Sequence, residues 1–222
     1  MCILALAIKP LGDAAVIVDV TATPIDAAEV LHTVMALHSA IMTAIHTEQL
    51  AGVVDVIPAA ETIVVTVDPA RLTPAQATEV IKGLPVSVSV SALTPPTTIE
   101  IPVTYDGVDL ADVARSLNVT TGELISIHTS TSWVAAFGGF APGFMYLTAA
   151  QYPLQVPRHS SPRTAIPAGS VGLAGGFSAV YPQQSPGGWQ IIGITREVMW
   201  DSNRDRPSLI QPGDAVRFVE ES

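Results

Sequence analysis

The spacing of apolar positions divides the chain into two regimes. Residues 2–8 and 14–20 are apolar and β-branched, with Leu11-Gly12-Asp13 between them, a pattern that predicts two strands joined by a turn. Thr23-Pro24-Ile25-Asp26 then reads as a helix start, with threonine to cap, proline in the first helical position and aspartate at N3. Val30, Val34, Leu37 and Ile41 recur at helical spacing and carry that helix to about residue 46. Residues 52–57 and 62–67 predict two more strands. Thr73-Pro74-Ala75-Gln76 repeats the capping pattern, and Gly83 followed by Pro85 ends the second helix. Residues 86–90 alternate valine with serine, as a strand with one wet face does.

The predicted order is ββαββαβ. After its first strand it matches a split βαββαβ unit, a ferredoxin-like α+β sandwich with two helices on one face of an antiparallel sheet. The uncharged stretch 91–98, with Pro95 and Pro96, marks a boundary between a domain at 1–92 and a second at 93–222. The second domain opens with a strand at 99–105 and two short helices near 109–117 and 121–128. From residue 132 onward, short apolar runs broken by Gly and Pro predict an all-β barrel or sandwich. The two short helices imitate a helix-turn-helix. Asp109, Asp112 and Glu123 outweigh Arg115 there, whereas a DNA-reading helix needs cations for phosphates. A helical connection capped by Thr120 and Glu123 is the better reading.

Composition narrows the class. Hydrophobic residues are 48 % of the chain and charged residues 14 %, against ~25 % charged in ordinary soluble domains. That excludes a disordered chain, and scattered Gly and Pro without a heptad exclude collagen and coiled-coil rods. The net charge of −10 disfavours nucleic acid and anionic membrane partners. A single cysteine, Cys2, forms neither an internal disulfide nor a Cys-rich zinc site. The apolar run at the start is short, follows no basic stretch and is closed by Lys9-Pro10, so neither a membrane span nor a secretory signal is expected. The expectation is a soluble cytoplasmic protein.

Charge is also unevenly placed. From residue 124 to 196 there is no Asp or Glu, yet this stretch holds His128, Arg158, His159, Arg163 and Arg196. Such a region suits an anion, whether carboxylate, phosphate or carboxylated intermediate. A buried barrel core, poor in charges of both signs, is the alternative. Two arginines on one Pro-rich loop fit the anion site better. The same stretch offers no catalytic carboxylate. Ser170 lacks the glycine two residues before it that a nucleophile elbow requires. Residues 169–176, GSVGLAGG, carry no lysine and are no Walker A loop. Their glycines either let chains pack closely or aim backbone N–H groups at an anion. His32, His38 and His46 do not converge on one helix face, and no metal site is expected. His128 ends a short helix whose dipole favours imidazolium, so it is either a proton donor or anion ligand, or a structural cap.

Four blocks carry a resemblance. Residues 139–147, GFAPGFMYL, resemble a GF-x-PGF-x-YL element, and 162–176 resemble PRT-x-VPAGSVGIAGG. Tyr181-Pro182 with 185–193, SPGGWQIIG, resembles YP…SPGGW-x-x-IG, and 209–218 resembles LL-x-PGD-x-V-x-F. Together they are similar to the family of B-type 5-oxoprolinase subunits (PxpB), also known as KipI or allophanate hydrolase subunit 1, which carries carboxyltransferase subdomains C and D. The likeness is strong over 99–219 and weaker at Gly12-Asp13 and Val67-Asp68-Pro69.

The resemblance implies a cyclophilin-like β-barrel at the C-terminal end. It implies two partners, a C-type 5-oxoprolinase subunit (allophanate hydrolase subunit 2 type) and an A-type one, and cleavage of 5-oxoproline to L-glutamate. ATP with Mg²⁺ would act in the assembled complex, with none bound by this chain alone. Related roles are a kinase-binding KipI-type inhibitor and half of a carboxyltransferase-like enzyme. The implied ligands of a small carboxylate-bearing substrate are Arg158 and Arg163, with His128 and Arg163 the catalytic candidates. Gly169, Ser170, Gly187 and Gly188 would shape the pocket, Trp189 would wall it, and Gln190 and Arg196 would complete it. A buried Trp189 with a satisfied indole is the plainer reading of that residue. Where the family commonly has GRTP, this chain has Gly193-Ile194-Thr195-Arg196, an even shift that keeps the arginine on the same strand face. Trp133 stands where Tyr or another aromatic is frequent. With no carboxylate in the acid-free stretch, magnesium ligands are expected from the partners.

Overall fold

In the computed structural model, which describes residues 6–22, 27–86, 98–149 and 154–221, the chain divides into two units, Met1–Leu93 and Thr94–Ser222. The first unit contains β1 (Ala7–Pro10), β2 (Ala15–Asp19), α1 (Ala27–His46), β3 (Val53–Pro58), β4 (Thr62–Val67) and α2 (Pro74–Gly83). Its four strands form an antiparallel sheet in the order β1-β2-β4-β3. Ile63, Val65 and Val67 alternate inward along β4 and meet Val34, Leu37 and Ile41 of α1 and Ala77 and Ile81 of α2 in one core. The predicted capping box of α2 is formed. Gln76 N–H donates to Thr73 Oγ1 at 3.3 Å, and Thr73 N–H donates back to Gln76 Oε1 at 2.9 Å.

Two expectations change here. The first strand falls at 7–10 rather than 2–8, with residues 2–5 outside the described residues. In a ferredoxin-like order the strand predicted at 86–90 would flank β2. That flank is taken by β1, paired from Ala7 with Asp19 to Pro10 with Val16. The cause is local: Gly12 adopts φ +69°, Leu11 N–H donates to Ala15 O at 2.8 Å, and the hairpin closes over a short loop at low entropic cost. The helix start at 23–26, residues 87–90 of the predicted closing strand and the boundary segment 91–97 lie outside the described residues.

The second unit holds β5 (Thr98–Val103), α3 (Leu110–Ser116), α4 (Thr121–Ser130), β6 (Trp133–Gly138), β7 (Met145–Thr148), β8 (Arg163–Ile166), β9 (Ser170–Ala174), β10 (Phe177–Val180), β11 (Ser185–Gly187), β12 (Gln190–Ile194) and β13 (Ala215–Glu220). Seven of its strands make one sheet in the order β12-β9-β10-β7-β6-β13-β5. The two edge strands meet through a single antiparallel bridge, in which Thr104 and Ile194 exchange N–H···O bonds of 2.9 Å. The sheet is therefore a nearly closed barrel. Strand β9 is buried at every residue, which explains its continuous apolar and small character. Ile101, Leu124, Trp133, Leu147, Leu173, Ile192 and Phe218 fill the main core. Strands β8 and β11 pair separately, and a smaller core of Phe144, Ile166, Ala179, Tyr181, Trp189 and Ile191 lies with them. The Thr120–Glu123 capping box starts α4 as its sequence predicts.

Candidate functional site

The smaller core opens into a cavity of about 80 Å³. The β6–β7 connection and the start of β7 supply Phe140, Phe144 and Tyr146. Tyr181 follows β10, Gly187, Gly188 and Trp189 run from β11 towards β12, and Arg158 comes from the loop before β8. The rings meet edge to face. Phe144 lies 5.3 Å from Tyr181 and 5.5 Å from Trp189, and Tyr146 lies 5.6 Å from Trp189. Gly187 lets its strand come this close, since a Cβ there would sit 2.3 Å from the Tyr181 hydroxyl. Burial raises the Tyr181 phenol above its ordinary pKa, so it remains a neutral donor.

Arg158 is the cation of this cavity. Its Cζ stands 5.8 Å from the Trp189 ring centroid, and no carboxylate pairs with it among the described residues. Its loop is tied down on both sides. His159 N–H donates to Gly188 O at 2.8 Å, and Gln190 Nε2 donates to Pro157 O at 3.1 Å. Aromatic walls with one uncompensated guanidinium suit a small flat anion.

Arg163 has a different environment. Its Nη1 and Nη2 donate to Asp109 Oδ2 and Oδ1 at 2.8 and 2.7 Å, and Nη1 also lies 2.9 Å from His159 Nε2. Asp109 is buried and accepts the Ile191 N–H at 2.7 Å as well. Burial alone would raise the Asp109 carboxyl, but Arg163, the Ile191 N–H and His159 hold it below the usual carboxylate range. The stretch that is acid-free in sequence is thus not acid-free in space. The start of α3 delivers a carboxylate to it, and the expected open cation at Arg163 is instead half of a bidentate ion pair.

His128 stands away from the cavity. It is fully buried, with Nδ1 2.7 Å from the Tyr105 hydroxyl, Nε2 2.9 Å from Ser178 Oγ, and its ring stacked on Phe218 at 4.3 Å. Burial pushes its pKa down to about 3, which outweighs the helix dipole and leaves the imidazole neutral. It belongs to the main core and does not line the cavity.

The glycine block packs strands. Gly169 has φ +80°, and a Cβ there would lie 2.2 Å from Thr195 O. Its N–H donates to Tyr181 O at 2.8 Å, while Ser170 is buried and its carbonyl accepts the Tyr181 N–H. These groups reach the cavity only through Tyr181. Arg196 is exposed beyond β12 and does not line the cavity, although Ile194, Thr195 and Arg196 alternate exposed, buried, exposed as an even shift requires. Trp133 lies in the main core with its indole N–H donating to His128 O at 3.0 Å. Of the expected residues, Arg158, Gly187, Gly188 and Trp189 come together, and Gln190 braces them. Phe140, Phe144, Tyr146 and Tyr181 went unsingled as site residues, although the GF-x-PGF-x-YL and YP blocks contain all four.

The cavity is far smaller than the ~300–1,000 Å³ usual for drug-sized ligands, so its residues do not fit a nucleotide with its magnesium. Among the described residues no group of three or more His, Cys, Asp or Glu is placed to hold a metal ion. No helix among them is long and apolar enough to cross a membrane.

The family model for the carboxyltransferase domain, subdomain C and D, matches residues 6–210. The chain belongs to that family. Within the family, the B-type 5-oxoprolinase subunit of Escherichia coli O157:H7 is 47 % identical over 124 residues, which are 54 % of this chain and 57 % of that protein. The match thus spans little more than half the length of the relative. Among solved structures, TTHA0988 is 31 % identical with a TM-score of 0.76, over 95 % of this chain and 40 % of its own. A conserved uncharacterized protein from Pyrococcus horikoshii is 32 % identical, covering 97 % of this chain and 98 % of its own at a TM-score of 0.54.

Proposed function

We propose that this chain acts as the B-type component of an ATP-dependent 5-oxoprolinase in the cytoplasm, and that its cavity receives 5-oxoproline. The observation that carries the reading is the aromatic cavity with the uncompensated guanidinium of Arg158. Support comes from a relative, 47 % identical over 124 residues, that is named as the B-type component of 5-oxoprolinase. The reading of the nearly closed barrel as cyclophilin-like rests on the family resemblance of the sequence blocks.

5-Oxoproline is a flat lactam bearing one carboxylate. Arg158 takes the carboxylate, the faces of Trp189 and Tyr146 pack on the ring, and the neutral Tyr181 hydroxyl offers a donor to a carbonyl oxygen. No group lining the cavity is a general base. This chain therefore binds and orients, and the A-type and C-type partners hold the nucleotide, the magnesium and the remaining chemistry.

The test is glutamate release from 5-oxoproline and ATP, measured with the purified chain, with the two partners, and with all three. Release is expected only from the assembled set. Release from this chain alone, or release by the partners without it, overturns the proposal.

A further inference from the structure

Most of the cavity's aromatic wall is sealed: Phe144, Tyr181 and Trp189 are each under 5 % exposed. Phe140 is 58 % exposed and sits at the rim. Its backbone adopts φ +64°, a left-handed conformation that a bulky residue enters only at a free-energy cost. The turn enforces this: Ala141 N–H donates to Gly139 O at 2.7 Å and Phe144 N–H to Ala141 O at 2.9 Å. Gly143 in the same turn has φ +83°, yet residue 140, in a similarly glycine-like conformation, is a phenylalanine. Its ring meets Phe144 edge-on at 5.2 Å and Tyr181 at 6.0 Å. The free chain thus keeps a large apolar ring mostly in water, in a backbone conformation that disfavours it, beside a cavity with one open cation.

We infer that Phe140 is a specificity-determining residue of this cavity, its strained backbone holding the ring at the rim so that a flat carboxylate-bearing lactam covers it on binding. The inference rests on the 5-oxoproline reading and deepens it. Arg158 can hold the carboxylate of the closed lactam or of the opened amino acid equally well. Only the closed ring presents a flat face to Phe140. The residue therefore biases the site towards the ring-closed molecule over its ring-opened counterpart.

The experiment titrates the full chain with 5-oxoproline and separately with L-glutamate, following tryptophan fluorescence, for the unaltered protein, Phe140→Gly and Phe140→Tyr. Thermal melts accompany each. The dissociation constant for 5-oxoproline is expected to rise about tenfold in Phe140→Gly, while that for glutamate changes less than about twofold. Phe140→Gly is expected to melt no lower than the unaltered chain, because glycine relieves the left-handed backbone. Phe140→Tyr keeps the ring and is expected to keep the preference. If the unaltered chain binds 5-oxoproline and Phe140→Gly binds it equally well, the role of Phe140 is overturned and the cavity reading stands. If Phe140→Gly melts lower and loses both ligands in proportion, the residue is a packing element and the inference also falls. If the unaltered chain binds neither ligand, the cavity reading falls and takes this inference with it.

Discussion

Asp109 and Arg163 lie 54 positions apart in sequence and meet through two parallel hydrogen bonds of 2.8 and 2.7 Å. The pair fastens the start of α3 to β8. Arg163 also sits opposite Gly187, a residue of the cavity wall, in the β8–β11 ladder, so the pair is tied to that wall through the strand. Bidentate geometry fixes orientation as well as distance.

Removing one partner leaves the other without its counter-ion. Asp109→Asn is expected to lower unfolding free energy by about 2 kcal/mol, short of a fully buried pair because Arg163 keeps access to water. Arg163→Ala should destabilise by a similar amount. Urea denaturation measures both, and a change below about 0.5 kcal/mol in either would show the pair to be dispensable.

Arg158→Ala should behave in the opposite way. The side chain is exposed and unpaired among the described residues, so melting temperature should hardly move. Loss of a charge-assisted contact is worth about 1.5–3 kcal/mol, so KM for 5-oxoproline in the assembled complex should rise roughly ten- to a hundredfold. Arg158→Lys should recover part of that. Unchanged KM would remove Arg158 from the site.

Acid should weaken the fold through His128. The group is neutral when folded, with its pKa pushed down to about 3, and its unfolded value is near the ordinary 6.5. Its contribution is complete above the unfolded value and is lost as pH falls from there towards 3. One extra proton taken up on unfolding corresponds to about 1.4 kcal/mol per pH unit. Unfolding free energies measured between about pH 6 and pH 4 should show that slope, and His128→Gln should flatten it. Equal slopes in the two proteins would mean that another group carries the effect.

Gly187→Ala tests how tightly the cavity wall is built. A Cβ at that position meets the Tyr181 hydroxyl at 2.3 Å, so strand or ring has to move. The expected cost is about 1–3 kcal/mol, together with weaker 5-oxoproline binding. A variant of normal stability and affinity would show that the wall yields freely.

Local signals were readable in the sequence, and long-range pairings were not. The capping boxes at Thr73 and Thr120 and the α1 face of Val34, Leu37 and Ile41 lie where spacing alone puts them, because capping and periodicity are decided within a few residues. The hairpin that places β1 beside β2 depends on which of two candidate strands reaches that edge, and the pattern of apolar residues does not rank them. The acid-free stretch was a true feature of the string of residues, but Asp109 enters it across the fold. Linear charge maps do not see such a partner. The two readings of His128 stay open in sequence for a related reason: a helix end is visible there, whereas complete desolvation among Phe218, Trp133 and Ser178 is not. Arg158 and Trp189 are both singled out by the sequence, and the structure places them on one cavity. The aromatic walls were legible only as a motif, because a run such as GFAPGFMYL does not announce which of its rings turn towards one hollow.

The bridge between Thr104 and Ile194 makes the circumference of the barrel a belt with a buckle. Gly107 N–H to Ile192 O at 3.2 Å and Asp109 N–H to Ile191 O at 2.9 Å continue the seam beyond that bridge without forming a regular ladder, so amide hydrogens there are expected to exchange sooner than those along β9. Strand β12 begins one residue after Trp189 and ends at Ile194, so the wall of the hollow and the buckle are the two ends of one strand.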